Sequence, residues 1–393
     1  MSDAAPRALS WIVTAAVVMS PAGVLAAPCA DLPNPTIGLG GSAARPLIGK
    51  FAAELAKQPQ PITLVFQSTT SCFGITAFID DAPMTGTASY WDAGGVEQMC
   101  DLPVVGVTPD YGLLSIAPTL CEGVTEVPAG LGERIGPITP WSLIVPVTSS
   151  QTSISAEAVY FVYGFGASEG QVSPWIVDAE LYARNATASS QIALALAAGI
   201  PIGKFKGNDT KTANGMVAAV AQSQDPEAAL GFVGAEVADL NRDVVRALAF
   251  QAYDQSCGYW PDSTAVAFDK RNVRDGHYLL WTPYRFYAPV DQNGDIIHAA
   301  TRTAIGYITG TEPAPPGFPA LDLVIDNGSV PRCAMEVWRD EDIGPLYSLQ
   351  PEEPCGCYYE AHATGATDCG ACQTDAECPG DAPRCRHGYC EAS

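Results

Sequence analysis

The chain has 393 residues, 47% of them hydrophobic and only 16% charged, enough apolar material for two cores and too much for a disordered chain. Its 20 lysines and arginines stand against 43 acidic residues, a formal charge of −23. No Lys/Arg-rich block interrupts that balance, which excludes nucleic acid and anionic membrane as partners. Any bound anion must therefore be held by local dipoles and a placed cation.

Taken in order, the chain opens with Arg7 before the apolar run "ALSWIVTAAVVM" and the small residues "SPAGVLAA". That pattern reads as a secretory signal over residues 1–27, cut near Ala26 or Ala27, and implies a periplasmic or cell-surface protein. Pro21 breaks the run, against a retained anchor, and Pro28 directly before Cys29 is a poor context for lipid attachment. The turn "GLGGSAARP" leads into "LIGKFAAELAK", where Leu47, Ile48, Phe51, Ala52 and Leu55 share one helical face. The β-branched run "ITLVF" ends in "QSTTSCFG", and "LPVVGVTPDYG" is read as a third strand ending in hydroxyls. "WSLIVPVTSS" is another strand, followed by the helix "SAEAVYFVYGFG". "LYARNATASSQIALALAAG" then gives a strand end, one arginine, small hydroxyl residues and an Ala/Leu-rich helix. The runs "MVAAVAQ" and "PEAALGFVGAEVAD" continue this second half, and strands return between Asp262 and Tyr287. The proline-rich "GTEPAPPGFPA" is a loop, and "QPEEPCGC" opens the C-terminal tail.

This alternation predicts an α/β fold with mainly parallel sheets, whose ligands gather at the carboxyl ends of strands. Lobe one spans residues 33–114 and 265–350, lobe two 115–264, and a Cys-rich tail 351–393; Leu64–Gln67 and Tyr278–Leu280 are expected in the same lobe.

Thirteen cysteines in an exported chain predict disulfides, at least five, with the odd one free or paired between molecules. Seven of them crowd the tail, which has too few apolar residues to hold a core unaided. A zinc module built on Cys369, Cys372, His362 and His387 is the rival reading, opposed by the export signal and by the excess of cysteines over four ligands. No cofactor or structural metal is expected.

The stretch Leu181–Gly199 carries the chemistry. Ser189 or Ser190 caps a helix N-terminus, small neighbours let backbone N–H groups approach a ligand, and Arg184 supplies a forked cation. No G-x-S-x-G elbow, H-E-x-x-H or Walker loop is present, and no nucleophile has an obvious base among the four histidines. An enzyme is therefore not expected.

Over roughly residues 35–289 the chain resembles the periplasmic phosphate-binding proteins of ABC uptake systems, with the type II two-lobed fold and a ligand cleft between the lobes. "GGSAARPL" is similar to that family's "GAGSTFPAPL" and sets Ser42 at an anion-contacting threonine; "FQSTTSCFGI" is similar to "YQSIGSGGGI" and sets Ser71 at an anion-binding serine. "GVTPDY" takes the place of "GASDAP", "RNATASS" that of "RSDGSGT", and "DGHYLLWTPYRFY" that of "DGTYPLSRPLYIY". The resemblance implies an exported solute-binding monomer for phosphate or a related oxyanion, with an ABC permease as partner. Its ligand-binding residues would be Ser42, Ser71, Thr108, Asp110, Arg184, Ser189 and Ser190. The departures bear on selectivity: Ala186 and Pro109 replace aspartates, so the acceptor for a phosphate proton is absent unless Asp110, displaced by one residue, restores it. The alternative is a cell-surface interaction protein that keeps the fold without the ligand.

Overall fold

The computed structural model describes Met1 and residues 26–392; the expected signal segment, apart from its ends, lies outside the described residues. A mixed sheet runs through the molecule. Its first seven strands are β1 (Ala27–Pro28), β2 (Pro35–Gly41), β3 (Thr63–Thr69), β4 (Thr87–Trp91), β5 (Glu97–Asp101), β6 (Tyr111–Leu114) and β7 (Leu131–Pro146). The order is β1-β5-β4-β3-β2-β6, then the return strand Trp281–Pro289, then β7, which also pairs with Gly231–Gly234 and Val245–Ala247. Within this sheet, only β2 with β3, β2 with β6 and β1 with β5 are parallel, while the separate short pairs Tyr182–Ala183 with Asn208–Asp209 and Ser153–Ser155 with Ala249–Gln251 are parallel too. The return strand, β4 and the second-lobe strands pair antiparallel, so the expectation of a mainly parallel sheet is corrected to a mixed one.

Helix α1 (Arg45–Ala56) follows β2, with Pro46 in its first turn, where a missing N–H costs nothing, and buries the Leu47, Ile48, Phe51 and Leu55 face named from the sequence. Helix α2 (Phe73–Ile79) follows β3. Both begin just past the carboxyl ends of parallel neighbours, which brings the residues before them, Ser42 and Ser71, side by side.

Two lobes are visible in the packing. Leu47, Phe51, Leu64, Phe66, Leu113, Tyr284 and Phe286 share the first core. Trp141, Leu143, Val159, Leu194, Phe232, Tyr278, Leu280 and Trp281 share the second. Leu64 and Tyr278 therefore belong to different lobes, against expectation. The boundaries at 115 and 265 shift for the same reason: the chain crosses inside β7 and inside the return strand. Leu131 to Glu133 pair with Pro289 to Tyr287 beside the first core, while Trp141 to Ile144 pair with Gly234 to Gly231 in the second. Residues 330–338 also return to the second core through Val330, Ala334, Met335 and Trp338.

The run "LPVVGV" is not a strand. Val104 and Val105 are exposed, and Gly106 turns the chain at φ +85°, because Pro103 and Pro109 deny the backbone donors a ladder needs. β6 starts later, at Tyr111.

Six disulfides form: Cys29–Cys100, Cys72–Cys121, Cys333–Cys355, Cys357–Cys369, Cys372–Cys385 and Cys378–Cys390. Cys29 is bonded to Cys100, and Cys369 and Cys372, each bonded elsewhere, offer zinc no thiolate. The tail is a small disulfide-rich module fastened to lobe two. Cys355 and Tyr359 enter the second core, and Glu391 accepts from the Cys357 and Tyr358 N–H groups in the first turn of the helix Gly356–Thr364. Cys257 alone among the described cysteines is unpaired, and it is exposed. Alkylation of the unreduced, denatured protein should therefore label one cysteine; mass spectrometry showing three or more labels would contradict the six pairings, and five or more would contradict even the expected minimum of five disulfides. No described helix is long and apolar enough to cross a membrane.

Candidate functional site

Between the lobes lies a small cavity of about 10 Å³, lined by Gly41, Ser42, Ala43, Thr69, Thr70 and Ser71 from lobe one and by Trp141, Arg184, Ala188, Ser189 and Ser190 from lobe two. Five of the seven residues expected from the sequence meet there. The cavity continues into a cleft of about 710 Å³ through the shared Ser42, Thr69 and Thr70, with Arg45 and Lys211 on its outer walls.

Hydroxyls lock the two walls together. Ser71 Oγ accepts from the Ser189 N–H at 3.3 Å, and Ser189 Oγ accepts from the Ser115 N–H at 3.2 Å. The Cys72 N–H donates to Thr187 O at 3.2 Å. Gly41 leaves room for this arrangement, because a Cβ there would stand 2.4 Å from Ser71 Oγ and push the hydroxyl off the Ser189 N–H. The helix of Ser189–Ala197 begins with Ala188 at its cap position and has no side-chain cap. The capping role given to Ser189 or Ser190 is thus corrected: Ser189 reaches across to β6, and the N-terminal N–H groups keep their positive end toward the cavity. Ser42 Oγ is buried without a partner.

Arg184 follows the short strand Tyr182–Ala183. Its backbone N–H donates to Gln191 Oε1 at 3.0 Å, and its Nη2 donates to Lys211 O at 2.9 Å. Those bonds fix the fork, while Nε is buried and unpartnered. Burial lowers the guanidinium's proton affinity and Asp209 raises it in part, but arginine remains charged at any physiological pH.

Thr108 and Asp110 do not join the site. They precede β6, and since Gly38 pairs with Tyr111 in parallel register, they stand at the opposite end of the strands from Ser42 and Ser71. The Asp110 carboxylate accepts from the Ile37 N–H at 2.8 Å, with His298 Nδ1 3.7 Å away. It is a turn-fixing group, and desolvation pushes its pKa up. The strand end that does reach the site is Leu114-Ser115-Ile116-Ala117-Pro118. Its signal was the spacing of serine, alanine and proline, which matches "GASDAP" better than "GVTPDY" does and puts buried Ile116 at the aspartate position. The cavity lining contains no carboxylate.

No family model and no curated protein matches the sequence. Among solved structures, the fold is similar to a phosphate ABC transporter substrate-binding protein with bound phosphate from Clostridium perfringens. The TM-score is 0.54 at 12% identity, over 76% of this chain and 99% of that one. An ABC-type phosphate transport receptor from Vibrio cholerae matches at a TM-score of 0.46 and 16% identity, over 75% and 99%. The chain thus has the two-lobed α/β fold of phosphate ABC transporter substrate-binding proteins, in a divergent sequence that ends in a disulfide-rich module.

Proposed function

We propose that this is an exported binding protein for a small oxyanion, seated between Ser42, Ser71, Ser189 and Ser190 with Arg184 as its counter-charge, and that as a monomer it delivers the anion to an ABC permease. The observation that carries the reading is the convergence of residues from four separated stretches on one interlobe cavity with unpartnered donors at Ser42 and Arg184. A cavity of about 10 Å³ holds on the order of one water, so an oxyanion enters as the lobes part and is enclosed as they close.

Selectivity follows from the lining. A carboxylate facing the anion would accept the proton of hydrogen phosphate and repel fully ionised sulfate. With hydroxyls, backbone donors and one arginine only, sulfate binds at least as well as phosphate. Isothermal titration with both anions is the test. Arg184→Ala should weaken binding by roughly 1.5–3 kcal/mol, the worth of a hydrogen bond to a charged group, with little change in folding. Lowering the pH from 8 to 6 should not strengthen phosphate binding. Strong phosphate preference, or undiminished binding by Arg184→Ala, would overturn the reading.

A further inference from the structure

The loop between the short paired strands Val337–Trp338 and Tyr347–Ser348 reads as surface, since Arg339, Asp340, Glu341 and Asp342 follow one another. Its first and last charges are instead buried at the hinge. Asp342 accepts from the Ala117 N–H, just past the end of β6, and from Arg285 Nη2 on the return strand at 3.0 Å, while Arg285 Nη1 donates to Glu133 on β7. Both Asp342 oxygens are thereby used.

Arg339 has no such arrangement. The residue is 4% exposed, its guanidinium lies 4.0 Å over the Trp281 ring, and Nε, Nη1 and Nη2 are all buried without a hydrogen-bond partner. Other buried arginines leave one nitrogen unpartnered; among the described residues, only Arg339 leaves all three. The indole Nε1 of Trp281 is likewise buried and unpartnered. Stacking on an aromatic face recovers part of a guanidinium's lost hydration but gives its in-plane N–H groups no acceptor. A buried cation in that condition costs several kcal/mol. Neither Arg339 nor Trp281 lines the interlobe cavity or its outer cleft.

We propose that Arg339 and Trp281 form a second anion site at the hinge, taking a small oxyanion of the sulfate or carboxylate type that accepts from the guanidinium fork and from the indole N–H at the edge of the ring beneath it. The anion supplies the negative charge that Asp342, already committed to Arg285 and Ala117, cannot share. Because the return strand carries Trp281 and is one of the two lobe crossings, occupancy of this site bears on the hinge rather than on the cleft. Burial lowers the Arg339 pKa to about 10, offset only by Asp342, so the group is still a cation at neutral pH.

The test separates the two sites. Crystals of the wild-type protein soaked in selenate should show anomalous density within hydrogen-bonding reach of Arg339, as well as any in the cleft. Ordered water at Arg339 with no anomalous density would overturn the proposal. In solution, the Arg184→Ala protein should retain a sulfate-dependent rise in melting temperature, acetate serving as the carboxylate arm. Adding Arg339→Met should weaken that response at least tenfold in half-saturating concentration, while in anion-free buffer the same change should be neutral or stabilising because it removes an unpaired buried charge. A response unchanged by Arg339→Met would also overturn it. Failure of the cleft reading alone appears differently, as wild-type binding that is insensitive to Arg184→Ala but lost with Arg339→Met.

Discussion

Replacing Glu236 with glutamine is expected to stabilise the protein at alkaline pH and to remove a pH dependence that the wild type carries. Glu236 is the second residue of the helix Ala235–Leu240, which directly follows the strand Gly231–Gly234, and it is 1% exposed. One carboxyl oxygen lies 3.4 Å from the Thr139 hydroxyl on β7, and the other has no partner. Gly234 leaves the space the carboxyl fills, since a Cβ there would come within 2.1 Å of it. Desolvation pushes the pKa up from 4.5 to about 8, with Asp239 adding to the rise and the Thr139 and Lys270 contacts opposing it.

The folded state therefore holds a proton that the unfolded chain has released between pH 4.5 and about 8. Stability from this group is complete below pH 4.5, is lost progressively as the pH rises to about 8, and stays lost above it. The whole interval corresponds to roughly 3–6 kcal/mol. Glutamine keeps the shape of the protonated acid without the ionisation. Urea melts of wild type and Glu236→Gln at pH 5, 7 and 9 should diverge by that amount, with the variant favoured at pH 9. Parallel curves would show that the carboxyl ionises without cost. The hinge should feel the same change, because Tyr284 on the return strand bonds Ala43 O at 3.4 Å in the cavity wall and lies in the field of Glu236.

What the sequence revealed, and what it hid, divides along physical lines. Ser42 and Ser71 were legible because each ends a parallel strand and precedes a helix, a local pattern whose spatial consequence is fixed once the strands pair. Arg184 and Ser189 were legible for the same reason. Thr108 and Asp110 misled because "VVGV" has the composition of a strand, and only pairing with β2 decides that the strand starts at Tyr111 and points Ser115 at the site. The lobe crossings left no mark, since β7 is buried without interruption from Gly136 to Pro146, and an unbroken apolar strand contains no signal for the place where its neighbours change. Arg339 and Glu236 were invisible for the opposite reason. Charged residues in polar surroundings read as solvated, and their burial is decided by distant segments: the hinge for Arg339, and Gly234, Thr139 and Gly328 for Glu236.

Gly112→Ala is expected to damage both folding and binding, because at this position the site's geometry rests on direct contact between backbones. A Cβ on Gly112 would lie 1.7 Å from Gly74 O on α2 and 3.0 Å from the Phe78 ring, and a Cβ on Gly74 would lie 2.8 Å from Leu113 O. Facing glycines let α2 press onto β6 with no side chain between them. A carbonyl oxygen cannot swing aside as a side-chain tip can, so the helix must retreat by about 1.5 Å to restore ordinary contact in a close-packed interior. Overpacking of this kind costs about 3 kcal/mol at the upper end of its usual range. The retreat also carries Ser71, at the start of α2 and tied by Cys72–Cys121 to the loop after β6, away from the Ser189 N–H that it meets at 3.3 Å. Ser115 stays with β6, so the two hydrogen bonds holding Ser189 can no longer form together. Sulfate affinity should fall at least tenfold in whatever fraction folds, the equivalent of about 1.4 kcal/mol. Gly130→Ala is the control, because nothing lies within 4 Å of its Cβ and its backbone is ordinary. Equal urea midpoints and equal sulfate affinities for the two variants would mean that α2 and β6 can part without disturbing the serines, and that the site is not built on their contact.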